Sequence, residues 1–259
     1  MTSSLVEPIL FMKDGDVAVL TMQFGPHNLV GKTLSEALVK GLKRAEAEKV
    51  RAIVIKSALR HFSAGAEVSL FENEGARRNE IDFVGCLRAF DELPIPIISS
   101  VHGVAVGGGF EIALASDLIV AASSAKMGLV EATLGLHPLM GGVQRLIDRV
   151  GLARAKEMVL LGRRHDAATL ERWNVINRVV PDAELESVTM SIAREIAAGP
   201  TVAHAATKRL ASLYVNQGMR AADEAMADIS APIYRSADLK RGLDAFATTG
   251  PGSAVFEGN

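Results

Sequence analysis

The sequence predicts an α/β fold followed by a helical segment, and three observations carry the prediction. Short β-rich runs alternate with glycine-rich turns and helical stripes up to about residue 150. Beyond residue 180 the periodicity is helical alone. The 259 residues are 49% apolar and 22% charged, which suits a large buried core and argues against disorder.

Residues 9–13 and 17–22 read as two strands around the turn pair Asp14-Gly15. Thr33-Leu34-Ser35-Glu36 reads as a capping box for a helix with Leu34, Leu38, Leu42 and Ala45 on one face. Residues 52–55 form a continuous apolar run of the kind buried in a sheet. A second helical pattern covers residues 81–92 and stops before Pro94. Residues 96–101 and 117–121 read as further strands, with a glycine-rich turn and a short helix between them. After Asp182, the stripe Leu185, Val188, Ile192 and Ile196 predicts a helix that ends at Gly199-Pro200. The next helix carries Val202, Ala206, Leu210 and Leu213 on one face, and two more surround residues 221–229 and 238–246. Such short amphipathic helices must pack on the α/β body or on another subunit.

Charge and motif spacing exclude several functions. Lys and Arg number 28 against 30 Asp and Glu, so no global field draws nucleic acid or an anionic membrane. No uncharged apolar run approaches the roughly 18 residues that span a bilayer. The start lacks a basic n-region, and the single cysteine, Cys86, suits a reducing compartment. A cytoplasmic protein is expected. The six histidines show no metal-ligand spacing, so no metal site is expected. Gly25 and Gly31-Lys32-Thr33 fail as a phosphate loop, because one residue too many separates the glycines. Ile112 stands where a dinucleotide fingerprint needs its third glycine. Ser99, Ser100 and His102 do not make a nucleophile pair, since strand neighbours point to opposite faces, and His102 reads as a packed histidine. Trp173 reads as an anchor for helices rather than a ligand platform.

The chemistry concentrates in two segments. Residues 60–67, RHFSAGAE, and 101–111, VHGVAVGGGFE, each run from a strand through small residues into a helical pattern. Small residues admit a ligand close to the backbone, and a helix start presents unpaired N–H groups at its positive end. Two such turns face to face make a pair of oxyanion donors; taken singly, the glycines serve tight strand–helix packing equally well. Glu111 follows the glycine triplet, and Glu131 follows the β-like MGLV, both in apolar surroundings. They are either two carboxylates that hold a water and divide acid and base roles, or two solvated acids at helix starts.

These segments together resemble the crotonase, or enoyl-CoA hydratase/isomerase, superfamily. FSAGAE matches its first oxyanion motif, HGVAVGGGFEIALASDL its second, and MGLVEATLGLHPLMGGVQRL the stretch that follows. Weaker echoes occur at Asn28, in residues 203–208 and in the closing Phe256-Glu257-Gly258. The resemblance implies a crotonase-like spiral of ββα units over residues 1–195 and a helical oligomerisation segment over 196–259, with a homotrimer or homohexamer as the assembly. It implies an acyl-CoA substrate approached by Ala64, Gly65, Ala66, Glu67 and Gly108, with the N–H groups of Ala66 and Gly108 as the oxyanion hole. Glu111 and Glu131 fall on the two hydratase glutamates, so hydration of a trans-2-enoyl-CoA without a separate cofactor is the implied reaction. A one-glutamate isomerase, another acyl-CoA lyase or a non-catalytic acyl-CoA-binding subunit are the alternatives. The sequence departs from the family at Glu67, usually Asp, and at Ser69, often a lysine near the coenzyme phosphates; Arg60 is the nearest substitute charge.

Overall fold

The computed structural model describes residues 7–71 and 81–259. Residues 1–6, part of the start read above for a targeting signal, lie outside the described residues. The chain opens with the hairpin β1 (Ile9–Asp14) and β2 (Val17–Met22), followed by helix α1 (Lys32–Ala47) and strand β3 (Ala52–Ser57). Helix α2 (Phe83–Asp91) leads to β4 (Ile97–Val101), β5 (Val104–Val106), α3 (Gly108–Ala115), β6 (Leu118–Ala122) and β7 (Lys126–Gly128). Then come α4 (Gly142–Val150), α5 (Leu152–Leu161), β8 (His165–Asp166), α6 (Ala167–Arg172), β9 (Arg178–Val180) and α7 (Leu185–Ala197). The last helices are α8 (Thr201–Gln217), α9 (Met219–Tyr234) and α10 (Ala237–Thr249).

One sheet has the order β1-β2-β3-β4-β6-β9, antiparallel at β1–β2 and parallel thereafter. A second has the order β5-β7-β8 and is extended by the parallel bridges Ser63↔Ala105 and Val30↔Ala66. Successive turns of the chain therefore lay a long strand in the first sheet and a short extended piece in the second before each helix. This is the expected spiral, and it brings the ends of the short pieces side by side: Ala66, Gly107 and Leu129.

The core lies where the first sheet meets its helices. Every residue of β2 is buried, as are Leu34, Leu38 and Leu42 of α1, which share the predicted face. Helix α7 covers β3, β4 and β6. Among the terminal helices, α8 buries no residue fully and packs chiefly on α9, so its stripe of Val202, Ala206, Leu210 and Leu213 stays half-covered. Arg51 fastens this segment to the body through the Gly199 carbonyl at 2.6 Å and Thr201 Oγ1 at 2.8 Å. Among the described residues no helix is long and apolar enough to cross a membrane.

Two local expectations are corrected. Helix α1 starts at Lys32 with Gly31 as its N-cap, and no side chain caps it, so Thr33 is inside the helix and the box does not form. The Glu67 carboxyl lies over Gly31 instead: a Cβ there would stand 2.6 Å from Glu67 Oε2, so a larger residue would push that carboxyl aside. In the opening hairpin Asp14 pairs with Val17, which leaves Gly15 and Asp16 as the loop; Gly15 takes the φ of 59° that a tight hairpin turn requires.

Candidate active site

Ala66 owes its orientation to the second sheet. Val30 N–H donates to Gly65 O at 2.8 Å and Glu67 N–H donates to Val30 O at 3.0 Å, the two bonds that flank a parallel bridge. In that pattern the N–H of the middle residue, Ala66, faces away from Val30. Gly107 follows β5 with a φ of 50° and acts as N-cap of α3, so Gly108 is the first helical residue and its N–H belongs to the helix start. A Cβ on Gly108 would meet Val30 Cβ at 3.2 Å, so any larger residue there disturbs packing as well as the donor.

Glu111 lies in the first turn of α3 and is only 2% exposed. Its Oε1 accepts from Met140 N–H at 2.8 Å and from Gly142 N–H at 2.9 Å, which fixes the carboxyl and leaves Oε2 to the cavity side. Burial raises its pKa to about 7; the Gly142 N–H opposes the rise and the charge of Glu131 adds to it. Glu131 opens the single 3-10 turn Glu131–Leu134 that follows β7. Its Oε2 is buried without a hydrogen-bond partner among the described residues. Burial raises its pKa as well, against its own backbone N–H and the charge of His137.

Ala66, Gly108, Glu111 and Glu131 line one cavity, whose remaining wall is Leu70, Phe71, Phe83, Leu139 and Met140. Two helix-start or bridge N–H groups and two carboxyls with raised pKa thus meet in an otherwise apolar space. That set can hold a polarised carbonyl oxygen and move protons beside it, and the reading of two solvated acids is overturned for Glu111 by its burial. Ala64, Gly65 and Glu67 are outside the cavity wall and support it: Ala64 N–H donates to His27 O at 3.0 Å, Gly65 takes a φ of 109° that suits glycine, and Glu67 sits on α1. Arg60 is exposed, and Ser69 lies in the turn Val68–Phe71. His102 bonds Leu59 O through Nε2 at 2.7 Å, Ser99 pairs with Ser116 at 2.8 Å, and Ser100 with Thr189 at 3.2 Å, so these three form no nucleophile site. Trp173 packs under Arg154 and edge-on to His165 as an anchor between α5, α6 and β8. Among the described residues no cluster of three or more His, Cys, Asp or Glu is placed to hold a metal.

Leu139-Met140 and Gly142 escaped the residue-level reading, although their segment had been matched to the family stretch. Their part is played by backbone N–H groups and by side chains too ordinary to signal function. The one available hint was the glycine pair Gly141-Gly142: a Cβ on Gly142 would lie 2.9 Å from Glu111 Cγ.

Comparison with known proteins agrees with this geometry. The profile of the enoyl-CoA hydratase/isomerase family matches residues 13–258. The chain belongs to that family. A protein named "Probable enoyl-CoA hydratase" from Rhizobium meliloti is 32% identical over 247 residues, 93% of this chain and 95% of its own. The carnitinyl-CoA dehydratase of Salmonella enteritidis is also 32% identical, over 250 residues, with 93% and 95% covered. Among solved structures, the enoyl-CoA hydratase of Bacillus anthracis superposes with a TM-score of 0.89 at 27% identity, covering 97% of this chain and 100% of that one. The fold is thus the crotonase fold of the enoyl-CoA hydratase/isomerase family, and its two-sheet spiral is what gathers the four cavity residues.

Proposed function

We propose that the protein catalyses the reversible addition of water to a trans-2-enoyl-CoA, giving a 3-hydroxyacyl-CoA. The observation that carries the reading is one mainly apolar cavity lined by the buried Glu111, by Glu131 with its buried, unpartnered Oε2, and by the two donor residues Ala66 and Gly108. The thioester oxygen sits between the N–H groups of Ala66 and Gly108. Glu111 takes a proton from water as its oxygen bonds to C3, the double-bond electrons move onto the thioester as an enolate, and Glu131 returns a proton to C2. The free Oε2 of Glu131 suits it to hold a proton and then release it. Water is added without net oxidation, so the reaction calls for no redox cofactor, and the two N–H donors polarise the carbonyl in the way a Lewis-acid metal otherwise would; coenzyme A is part of the substrate.

The relatives' names describe hydration and dehydration of acyl-CoA, one chemistry in two directions. The wall of Leu70, Phe71, Phe83, Leu139 and Met140 gives the acyl group a mainly apolar surface to lie on. A homotrimer or homohexamer in the cytoplasm completes the reading, supported by the half-covered stripe of α8 and by the exposed Tyr214, Met219 and Phe246. The test is loss of the 2-enoyl absorption of crotonyl-CoA. Turnover by the wild type supports the proposal. Shifting of a 3-enoyl-CoA without hydration marks an isomerase, and acyl-CoA binding with no turnover across enoyl substrates marks a binding subunit.

A further inference from the structure

Ser63 is the side chain on which the two donor segments of the cavity meet. It is 0% exposed. Its Oγ donates to Asn28 O at 2.6 Å and accepts from Gly65 N–H at 3.3 Å, one residue before the donor Ala66. Its backbone engages the other segment: the N–H donates to Val104 O at 3.1 Å, and the carbonyl accepts from Val106 N–H at 3.2 Å. Val106 ends β5, and Gly107 and Gly108 follow directly. A Cβ on Gly109 would lie 2.5 Å from Ser63 Oγ, so the second residue of α3 rests its bare Cα on the serine.

Asn28 fixes where the accepting carbonyl stands. It is wholly buried and holds a φ of 49°, a left-handed conformation that asparagine tolerates better than most residues. Its Oδ1 accepts from Phe24 N–H at 2.8 Å, and its Nδ2 donates to Ser57 Oγ at 2.8 Å and to Phe62 O at 3.0 Å. Every polar atom of that side chain has a partner, so the carbonyl that receives Ser63 cannot drift without breaking a buried network.

We propose that Ser63, braced by Asn28, is a positioning residue that sets the distance and angle between the Ala66 and Gly108 N–H groups. The proposal rests on the hydratase reading for the identity of the oxygen those groups receive. An oxyanion pair works only when both donors reach one atom, and the Ala66 strand and the α3 start belong to different turns of the spiral. Ser63 binds both turns through buried contacts. Without its hydroxyl, the Asn28 carbonyl and the Gly65 N–H lose their buried partner and Gly109 loses the oxygen it rests on, so Ala66 shifts against the start of α3 while the backbone bonds of Ser63 to Val104 and Val106 remain.

The experiment compares full-length wild type, Ser63→Ala, Ser63→Cys and Ser100→Ala. Ser100 is a matched control: its hydroxyl is also buried and bonds Thr189, on β4 away from the cavity wall. Two readouts are taken, kcat and KM with crotonyl-CoA, and the absorption of bound para-dimethylaminocinnamoyl-CoA, whose band moves to the red as its thioester carbonyl is polarised. Ser63→Ala is expected to lower kcat by about tenfold to a hundredfold, the scale of a donor misplaced by a fraction of an ångström, with KM unchanged and a smaller red shift. Ser63→Cys, a larger side chain with a weak donor, falls between, and Ser100→Ala behaves as wild type in both readouts. A folded Ser63→Ala with wild-type kcat and full red shift overturns the proposal. So does Ser100→Ala with equal losses, because the effect is then general loosening. Should Ser63→Ala fail to fold, wild-type values in Ser63→Cys overturn it equally. A wild type that shifts the chromophore but hydrates nothing contradicts the hydratase reading alone and leaves the clamp to the spectrum; a wild type with no red shift overturns the clamp.

Discussion

Glu111 and Glu131 reach the same cavity from scaffolds of opposite kind. Glu111 stands in the first turn of α3, whose residues from Gly108 to Leu114 are all buried, and two N–H groups from the start of the next helical region hold one of its oxygens. Glu131 stands on one 3-10 turn whose Ala132, Thr133 and Leu134 are exposed, and one of its oxygens has no partner among the described residues. The difference teaches how two identical side chains take different tasks. A carboxyl pinned by backbone donors keeps a fixed direction, which suits aiming a water; a carboxyl with a free buried oxygen suits holding a proton and releasing it.

The largest effect expected from this contrast is chemical. Glu111→Gln and Glu131→Gln each lower kcat for crotonyl-CoA hydration by roughly a hundred- to ten-thousandfold, as for loss of a general acid–base group. The double variant falls well short of the product of the two losses, because the pair works on one water. Gln keeps an oxygen that accepts the Met140 and Gly142 N–H groups, so the circular dichroism of Glu111→Gln stays native. One single variant with near-normal activity removes the division of labour and points to an isomerase.

A smaller loss is expected from disturbing only the pin. In Gly142→Ala the new Cβ lies 3.0 Å from Glu111 Oε1, so the carboxyl must turn, and kcat is expected to fall by about tenfold to a hundredfold with KM little changed. Wild-type kcat in that variant shows that the direction of Glu111 is immaterial.

The titration of Glu111 sharpens the contrast further. Its pKa stands at about 7 against an ordinary 4.5, so the folded chain holds this proton more tightly than the unfolded chain. The stability it contributes is therefore full below about 4.5 and lost as pH rises through about 7, a difference of roughly 3 kcal/mol. Over the same upper range kcat rises, because the base must be ionised. Melting temperature and kcat measured across that window should move in opposite directions, and Glu111→Gln should flatten the stability limb. A wild-type melting profile identical to that of Glu111→Gln counts against a Glu111 pKa raised by burial.

The smallest effect belongs to the turn that carries Glu131. Leu134 is 67% exposed, and Leu134→Ser is expected to change stability by no more than about 0.5 kcal/mol and to leave kcat alone. A large loss of kcat there shows that the turn is covered in the assembled protein.

Legibility of the sequence followed element length. Helices α1, α7 and α8 and strands β2, β3 and β4 are long or apolar enough for periodicity to show them. Strands β5, β7 and β9 have three residues each and β8 two, less than a readable alternation, although β5, β7 and β8 together build the layer that carries the site. The capping box failed for a different reason: Thr33 and Glu36 have the right spacing, but the helix starts one residue earlier, at Lys32 after Gly31, which leaves Thr33 inside it. The four cavity residues were legible through their motifs. The backbone donors of Met140 and Gly142 were not, since a peptide N–H is the same in every residue.

By itself the sequence determined the α/β class, the helical tail, the charge balance and the two glycine-rich turns next to acidic residues. These depend on local pattern and composition, which are written along the chain. Only the tertiary structure decided that Ala66, Gly108, Glu111 and Glu131 share one cavity, that Glu111 is buried and pinned while Glu131 keeps an unpaired oxygen, and that Ser63 joins the two donor turns. Burial, desolvation and hydrogen-bond partnership are properties of neighbours in space. Here those neighbours come from separate turns of a spiral, brought together by strands too short to announce themselves.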